Sequence, residues 1–98
     1  MRTEKTIEAH ILELSNTASD LLVGLQCQDT AEVQRKALQL KKRAEEYGTT
    51  SLLQTAQAIA HAAESGDLEV AILLEPEIHE RLNQAVLLMR QSISVRNN

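Results

Sequence analysis

Apolar residues recur along the chain at alternating intervals of three and four residues, in four successive stretches. This spacing places apolar side chains on one side of an amphipathic helix. The first stretch predicts a helix from near Thr3 to about Gln26. A second predicted helix follows the break at "QDT". Its inward side is formed by Val33, Ala37, Leu40, Ala44 and Tyr47.

The ends of the second helix carry recognisable signals. Asp29 is a favourable N-cap, and Glu32, three residues later, predicts a capping box. Gly48 follows the last apolar position, and a glycine just after a helix is typical of a C-terminal end. The short "GTTS" link then predicts that the third helix folds back beside the second. For that third helix, the candidate N-caps are Thr49, Thr50 and Ser51. The pair Ser51 and Gln54 fits a capping box.

The last two stretches have the same character. "SGD" ends the third helix, and Asp67 is the predicted N-cap of the fourth. Pro76 interrupts the fourth pattern, so it should kink this helix or divide it into two pieces. The inward side of the third helix is formed by Leu52, Leu53, Ala56, Ile59, Ala60 and Ala63. That of the fourth is formed by Ala71, Leu74, Ile78, Leu82, Ala85 and Met89.

Four amphipathic helices with short links predict an all-α fold, an antiparallel up-down-up-down four-helix bundle. The length fits one domain, residues 1–98, with a frayed tail from about residue 94. Hydrophobic residues at 43% and charged residues at 24% are typical of a globular chain. Tyr47 is the one aromatic residue. The core must therefore consist of aliphatic side chains.

Charge and cysteine content limit the possible functions. The net charge of −4 argues against general binding of nucleic acid, because phosphate attraction needs a basic surface. The single Cys27 cannot close an internal disulfide, which favours a reducing compartment. The first residues lack the apolar run of a secretion signal, and no run approaches the ~20 residues that span a bilayer. We expect a cytoplasmic protein that does not act at membranes.

Half of the ten lysines and arginines lie between residues 35 and 43. Within this segment, Leu38 points roughly 135° away from the inward side of the second helix. An exposed leucine surrounded by positive charge is therefore expected there. One interpretation is an ordinary solvated helix face, with Lys41 and Lys42 paired to Glu45 and Glu46. The other is a binding site. The expected cations are Arg35, Lys36, Lys41, Lys42 and Arg43.

The segments "DTAEVQRKALQLKKRAEEYGTTSL" and "ESGDLEVAILLEPEIHERL" resemble the histidine-phosphotransfer (HPt) domains of bacterial phosphorelays. That family has an acidic N-cap on its second helix, an Ala-His-x-Leu-Lys-Gly core, a glycine turn and a Gly-Asp-Leu start to the last helix. The resemblance covers most of residues 14–90. The positions in register are Ala37, Leu40, Lys41, Ala44, Gly48, Leu52 and Gly66-Asp67-Leu68.

One departure from the family pattern decides the expected chemistry. The phospho-accepting histidine would stand at position 38, where this chain has leucine. The glycine after Lys41 is replaced by Lys42. A leucine side chain has no nucleophilic nitrogen and cannot accept a phosphoryl group. The resemblance therefore implies a phosphotransfer fold without phosphotransfer, and a protein that is not an enzyme.

No other residue is a convincing substitute. His10 and His61 are each followed three positions later by a glutamate, which would repel a phosphoryl group, and His79 lacks a nearby lysine. The three histidines fall on three different predicted helices, which gives a metal site little support. Cys27 has no evident activating base. We predict no cofactor and no metal.

The sequence is compatible with three functions. The first is a non-catalytic module that docks the receiver domain of a response regulator or a hybrid sensor kinase. The second is a structural or self-associating bundle, with a weak homodimer through Leu38. The third is phosphotransfer through a non-standard histidine. The predicted partner-binding residues are Gln34, Arg35, Leu38, Lys41, Lys42 and Glu45.

Overall fold

The computed structural model describes the backbone of residues 7–96 and the side chains of residues 7–91. Its described part contains helices and no strand, which confirms the predicted all-α class. The predicted start near Thr3 lies outside the described residues. The last helix continues through Arg96, into the segment predicted to fray, and residues 97–98 are not described. The helices are α1 (Ile7–Gln26), α2 (Thr30–Glu46), α3 (Thr50–Glu64), α4 (Leu68–Leu73) and α5 (Glu75–Arg96).

The links after α1, α2 and α3 share one hydrogen-bonding pattern. After α2, the Thr49 N–H donates to the Ala44 carbonyl at 2.9 Å, and the Gly48 N–H donates to the Glu45 carbonyl at 3.3 Å. These two bonds define a Schellman motif, which needs a residue with positive φ. Gly48 supplies it with φ +71°, and this confirms the predicted end of α2.

The same two bonds close α3 and α1. After α3, Asp67 donates to Ala62 at 2.8 Å, and Gly66 has φ +76°. After α1, Asp29 donates to Gly24 at 3.1 Å, and the residue with positive φ is Gln28 rather than a glycine. In each link, the residue that closes the motif is also the N-cap of the next helix. The links are short for this reason.

Both predicted capping boxes need correction. Asp29 caps α2, since its carboxylate accepts from the Glu32 N–H at 3.3 Å, but the Glu32 carboxylate bonds to Arg35 instead of returning to Asp29. The Asp29 N–H is already used in the Schellman bond. Of the three N-cap candidates for α3, Thr49 holds the position, so α3 begins two residues earlier than the box predicted at Ser51 requires, and that box is wrong.

Pro76 divides the fourth predicted helix, as the sequence suggested. α4 ends at Leu73, Leu74 follows it, and Pro76 is the second residue of α5. In the first turn of a helix the missing N–H of proline removes no hydrogen bond. The division therefore separates two helices at little cost in hydrogen bonding.

The core is aliphatic, as the composition predicted. α2 packs against α1 and α3, α5 also packs against α1 and α3, and α4 packs mainly against α3. The apolar positions predicted to face inward on each helix are buried or half-buried. The largest fully buried side chains are Leu14, Leu21, Leu25, Val33, Leu40, Leu52, Ile59 and Ile78.

Candidate functional site

We call the side of α2 that faces away from the core the outward face. Leu38 lies at its centre and is 49% exposed, whereas Leu40, two positions on, is fully buried. The predicted exposure of Leu38 is confirmed. The outward face consists of the six residues predicted to bind a partner, which are all exposed or half-buried: Gln34, Arg35, Leu38, Lys41, Lys42 and Glu45.

Two of the five cations expected around Leu38 instead face α1, so that part of the prediction is wrong. Lys36 is only 19% exposed, and its Nζ lies 3.5 Å from Oδ2 of Asp20. Nη1 of Arg43 lies 3.6 Å from Oε2 of Glu13. Both residues lie on the flank of α2 that packs against α1, so their charges are used between the two helices. They do not contribute to the outward face.

The three remaining cations differ in their surroundings. Nη2 of Arg35 lies 2.8 and 2.6 Å from the two Glu32 carboxylate oxygens, one turn earlier on the same helix. Lys41 and Lys42 form no ion pair within the described residues, and the pairs expected with Glu45 and Glu46 are not formed. The positive charge beside Leu38 that is available to a partner therefore comes from these two lysines.

The outward face can bind a partner, but the side chain at position 38 cannot accept or transfer a chemical group. The exposed part of the Leu38 side chain can be buried against a partner, and the lysines attract an acidic surface. Leu38 itself carries no atom that could be a nucleophile or a proton donor. The outward face is a candidate contact surface for a macromolecule.

The histidines lie on separate helices. His61 on α3 and His79 on α5 are exposed, and His10 on α1 is half-buried. Nowhere in residues 7–91 do three or more histidine, cysteine or acidic side chains come together as a metal site would require. Cys27 is exposed and lies just after the end of α1.

A second group of polar residues joins α1 to the end of α2, and the sequence reasoning missed it. Nδ1 of His10 lies 2.8 Å from the Tyr47 hydroxyl, which donates to Oε2 of Glu13 at 3.3 Å. The imidazole and phenol rings meet edge-on, with centroids 4.7 Å apart. Arg43 pairs with the same Glu13 oxygen. We call these four residues the tyrosine cluster: His10, Glu13, Arg43 and Tyr47.

The surroundings of the Tyr47 hydroxyl disfavour its ionisation. Removal from water raises its pKa above the usual 10.0, and the negative charge of Glu13 and the hydrogen bond to it raise the pKa further. The neighbouring Glu46 acts in the same direction, whereas Arg43 opposes it. Nε of Arg43 is buried and has no hydrogen-bond partner in the described part of the chain. One signal could have revealed the cluster: Tyr47, the one aromatic residue, falls at the edge of the inward side of α2.

Among the residues that the structure describes, none of the helices has the length and apolar character needed to cross a bilayer. Comparison of the chain with protein families, with curated proteins and with solved structures found no match. The resemblance to HPt domains therefore stays a prediction, based on the residues quoted above.

Proposed function

We propose that this chain is an HPt-like protein that binds the receiver domain of a response regulator through the outward face of α2 and carries no phosphate. One observation supports this proposal above all. Leu38 is half exposed, beside two lysines without ion pairs, at the position where the family has its phospho-accepting histidine. A hybrid sensor kinase that contains a receiver is an equivalent partner, and both place the chain in the cytoplasm.

The helix packing supports the bundle that this proposal requires. His10 on α1 meets Tyr47 on α2, and Asp20 meets Lys36. Residue numbers thus rise on one helix as they fall on the other, as in an antiparallel pair. α5 contacts both α1 and α3, which would close a ring of four elements. We propose an up-down-up-down four-helix bundle whose fourth element is α4 and α5, divided near Pro76.

Electrostatics supports the choice of partner. HPt domains, which this chain resembles, dock receiver domains whose phosphorylation pocket is lined by aspartates. Lys41 and Lys42 would steer the encounter with such a pocket, while Leu38 fills space beside it. Each exposed charge contributes about 0–1 kcal/mol to binding. Burial of the exposed part of Leu38 adds on the order of 1 kcal/mol. A complex of modest affinity follows.

The proposal can be tested by the affinity of the chain for a panel of receiver domains. Leu38→Asp places a carboxylate against an acidic pocket, so we expect a receiver that binds the native chain to bind this variant roughly tenfold or more weakly, about 1.4 kcal/mol. Leu73→Asp is the matched control, because Leu73 on α4 is 77% exposed and lies outside the outward face. Isothermal titration calorimetry measures both. Equal losses in the two variants would contradict the proposal.

Several other large apolar side chains are exposed, and they favour self-association as the second candidate function. They are Leu12, Val23, Val70, Leu73, Leu87 and Leu88. Sedimentation velocity over a range of concentrations distinguishes the two functions. A tight dimer that Leu38→Asp abolishes, without binding of any receiver, would favour self-association.

A further inference from the structure

A cleft of about 300 Å³ opens beside the tyrosine cluster, at the end of α2. Its apolar lining comes from Ile7, Leu88 and Met89, and its polar lining includes His10, Tyr47 and Thr49. The volume is at the lower end of the range for small-molecule sites, which are mostly apolar with a few fixed polar groups. Thr49 is already bonded, since its hydroxyl donates to the Ala44 carbonyl at 3.1 Å.

The hydrogen bonds of the tyrosine cluster favour one tautomer of the His10 imidazole. A carboxylate can only accept, so the Tyr47 hydroxyl uses its one proton on Glu13. The contact between Tyr47 and Nδ1 of His10 then requires that Nδ1 be the donor. In neutral imidazole this leaves Nε2 as an acceptor. Nε2 has no hydrogen-bond partner in the described part of the chain.

We propose that this cleft binds a small, mainly apolar molecule with a single hydrogen-bond donor, such as a phenol, whose hydroxyl donates to Nε2 of His10. The ring of the ligand would lie against Ile7, Leu88 and Met89. Such a ligand would cover Leu88, an apolar residue that is 61% exposed. The proposal is independent of partner binding at the outward face.

The charges around the cleft favour a donor over an anion. Glu13 and Glu46 are the two carboxylates whose negative charge acts on the Tyr47 hydroxyl. The one cation of the cluster, Arg43, is already paired with Glu13. A ligand carboxylate would be repelled by the negative charge of the two glutamates and by the lone pair of Nε2. A neutral hydroxyl meets neither obstacle, and the acceptor it needs is already oriented by the bond from Nδ1 to Tyr47.

The test compares phenol with toluene, which has nearly the same shape and no donor. The full chain is titrated with each compound while the methyl resonances of Ile7, Leu88 and Met89 are followed by NMR. Because a neutral hydrogen bond contributes about 0.5–1.5 kcal/mol, phenol should bind roughly twofold to tenfold more tightly than toluene. Leu73→Ala, on α4, should change neither affinity.

His10→Phe retains a ring at this position and removes the acceptor, so the preference should reverse and toluene should bind more tightly than phenol. The comparison in the native chain needs no variant and decides the question if His10→Phe fails to fold. Equal affinities of the two compounds for the native chain would overturn the proposal. Shifts confined to methyl groups outside the cleft, or no shifts at all, would do the same.

Discussion

Leu38 and Leu40 are two positions apart on α2 and lie in opposite environments. Leu40 is fully buried in the core, whereas Leu38 is half exposed beside Lys41 and Lys42. Loss of a buried leucine side chain costs about 2–5 kcal/mol, whereas most surface substitutions change stability by no more than about 0.5 kcal/mol. Substitutions at Leu38 therefore report on binding rather than on folding.

Tyr47 gives the most direct test of the tyrosine cluster. It is the one tyrosine, and there is no tryptophan, so tyrosinate absorbance reports on this residue alone. Burial and Glu13 raise its pKa, so the native chain should titrate at higher pH than the chain unfolded in urea. By linkage, the stability from this shift is complete below about pH 10 and is lost as the pH rises through the native pKa.

Glu13→Gln is the informative variant for this titration. It removes the negative charge that opposes ionisation and keeps a group that can accept a hydrogen bond. The native pKa of Tyr47 should move down toward its unfolded value, while Glu64→Gln on α3 should leave it unchanged. If Tyr47 titrates at the same pH in the native and unfolded chains, the cluster does not exist as described.

At the scale of elements, each of the first three links combines the end of one helix with the start of the next. Gly48 and Gly66 have positive φ, and the sequence marks both positions clearly. Gln28 occupies the equivalent position after α1 with φ +56°. In this left-handed conformation the Cβ of glutamine is sterically unfavourable, whereas glycine has no Cβ. The break at this point was still predictable, because Asp29 is a strong N-cap signal.

Asp29 and Ser51 allow a controlled test of the helix starts. The Asp29 side chain accepts from the Glu32 N–H, so Asp29→Ala should lower the free energy of unfolding by about 1 kcal/mol. Ser51 is the second residue of α3 and does not cap it, so Ser51→Ala should have little effect. Urea denaturation measures both. A larger loss for Ser51→Ala than for Asp29→Ala would place the start of α3 at Ser51.

The helices and their inward sides follow from the sequence because the apolar spacing reflects the period of the α-helix. The same geometry exposes Leu38. The periodicity of the sequence does not reveal which flank of α2 packs against α1, so the ion pairs of Lys36 and Arg43 could not be predicted. The meeting of His10 with Tyr47 likewise depends on the register between two helices. Periodicity within one helix carries no information on that register.

At the scale of the whole molecule, the positive segment from residue 35 to residue 43 has two roles in an otherwise acidic chain. Lys36 and Arg43 link α2 to α1 through Asp20 and Glu13. Lys41 and Lys42 remain without ion pairs in the part of the chain that is described. Local positive charge on a protein of net charge −4 favours docking of an acidic partner over general binding of polyanions.

Introducing a histidine at position 38 tests the resemblance to HPt domains. If the fold and position correspond, Leu38→His together with Lys42→Gly should accept a phosphoryl group from a phosphorylated receiver domain. The N–P bond forms at the imidazole as the aspartyl O–P bond breaks, and the aspartate carboxylate is regenerated. Intact-protein mass spectrometry should show an acid-labile gain, whereas the native chain should show none.

Gln39→His is the matched control for this gain. Gln39 is also exposed on α2 but points to a different side of the helix. Uptake by Leu38→His alone or with Lys42→Gly, and not by Gln39→His, would support the correspondence. Uptake by the native chain would instead indicate a non-standard phospho-accepting residue. Failure of both position-38 variants with every receiver would count against the resemblance.

The most direct measurement is an NMR titration of the isotope-labelled chain with unlabelled receiver domains. If the outward face of α2 is the docking surface, the amide signals of residues 34–45 should shift with at least one receiver. Those of the exposed side of α4 should not change. Shifts that avoid residues 34–45 with every receiver in the panel would contradict the account.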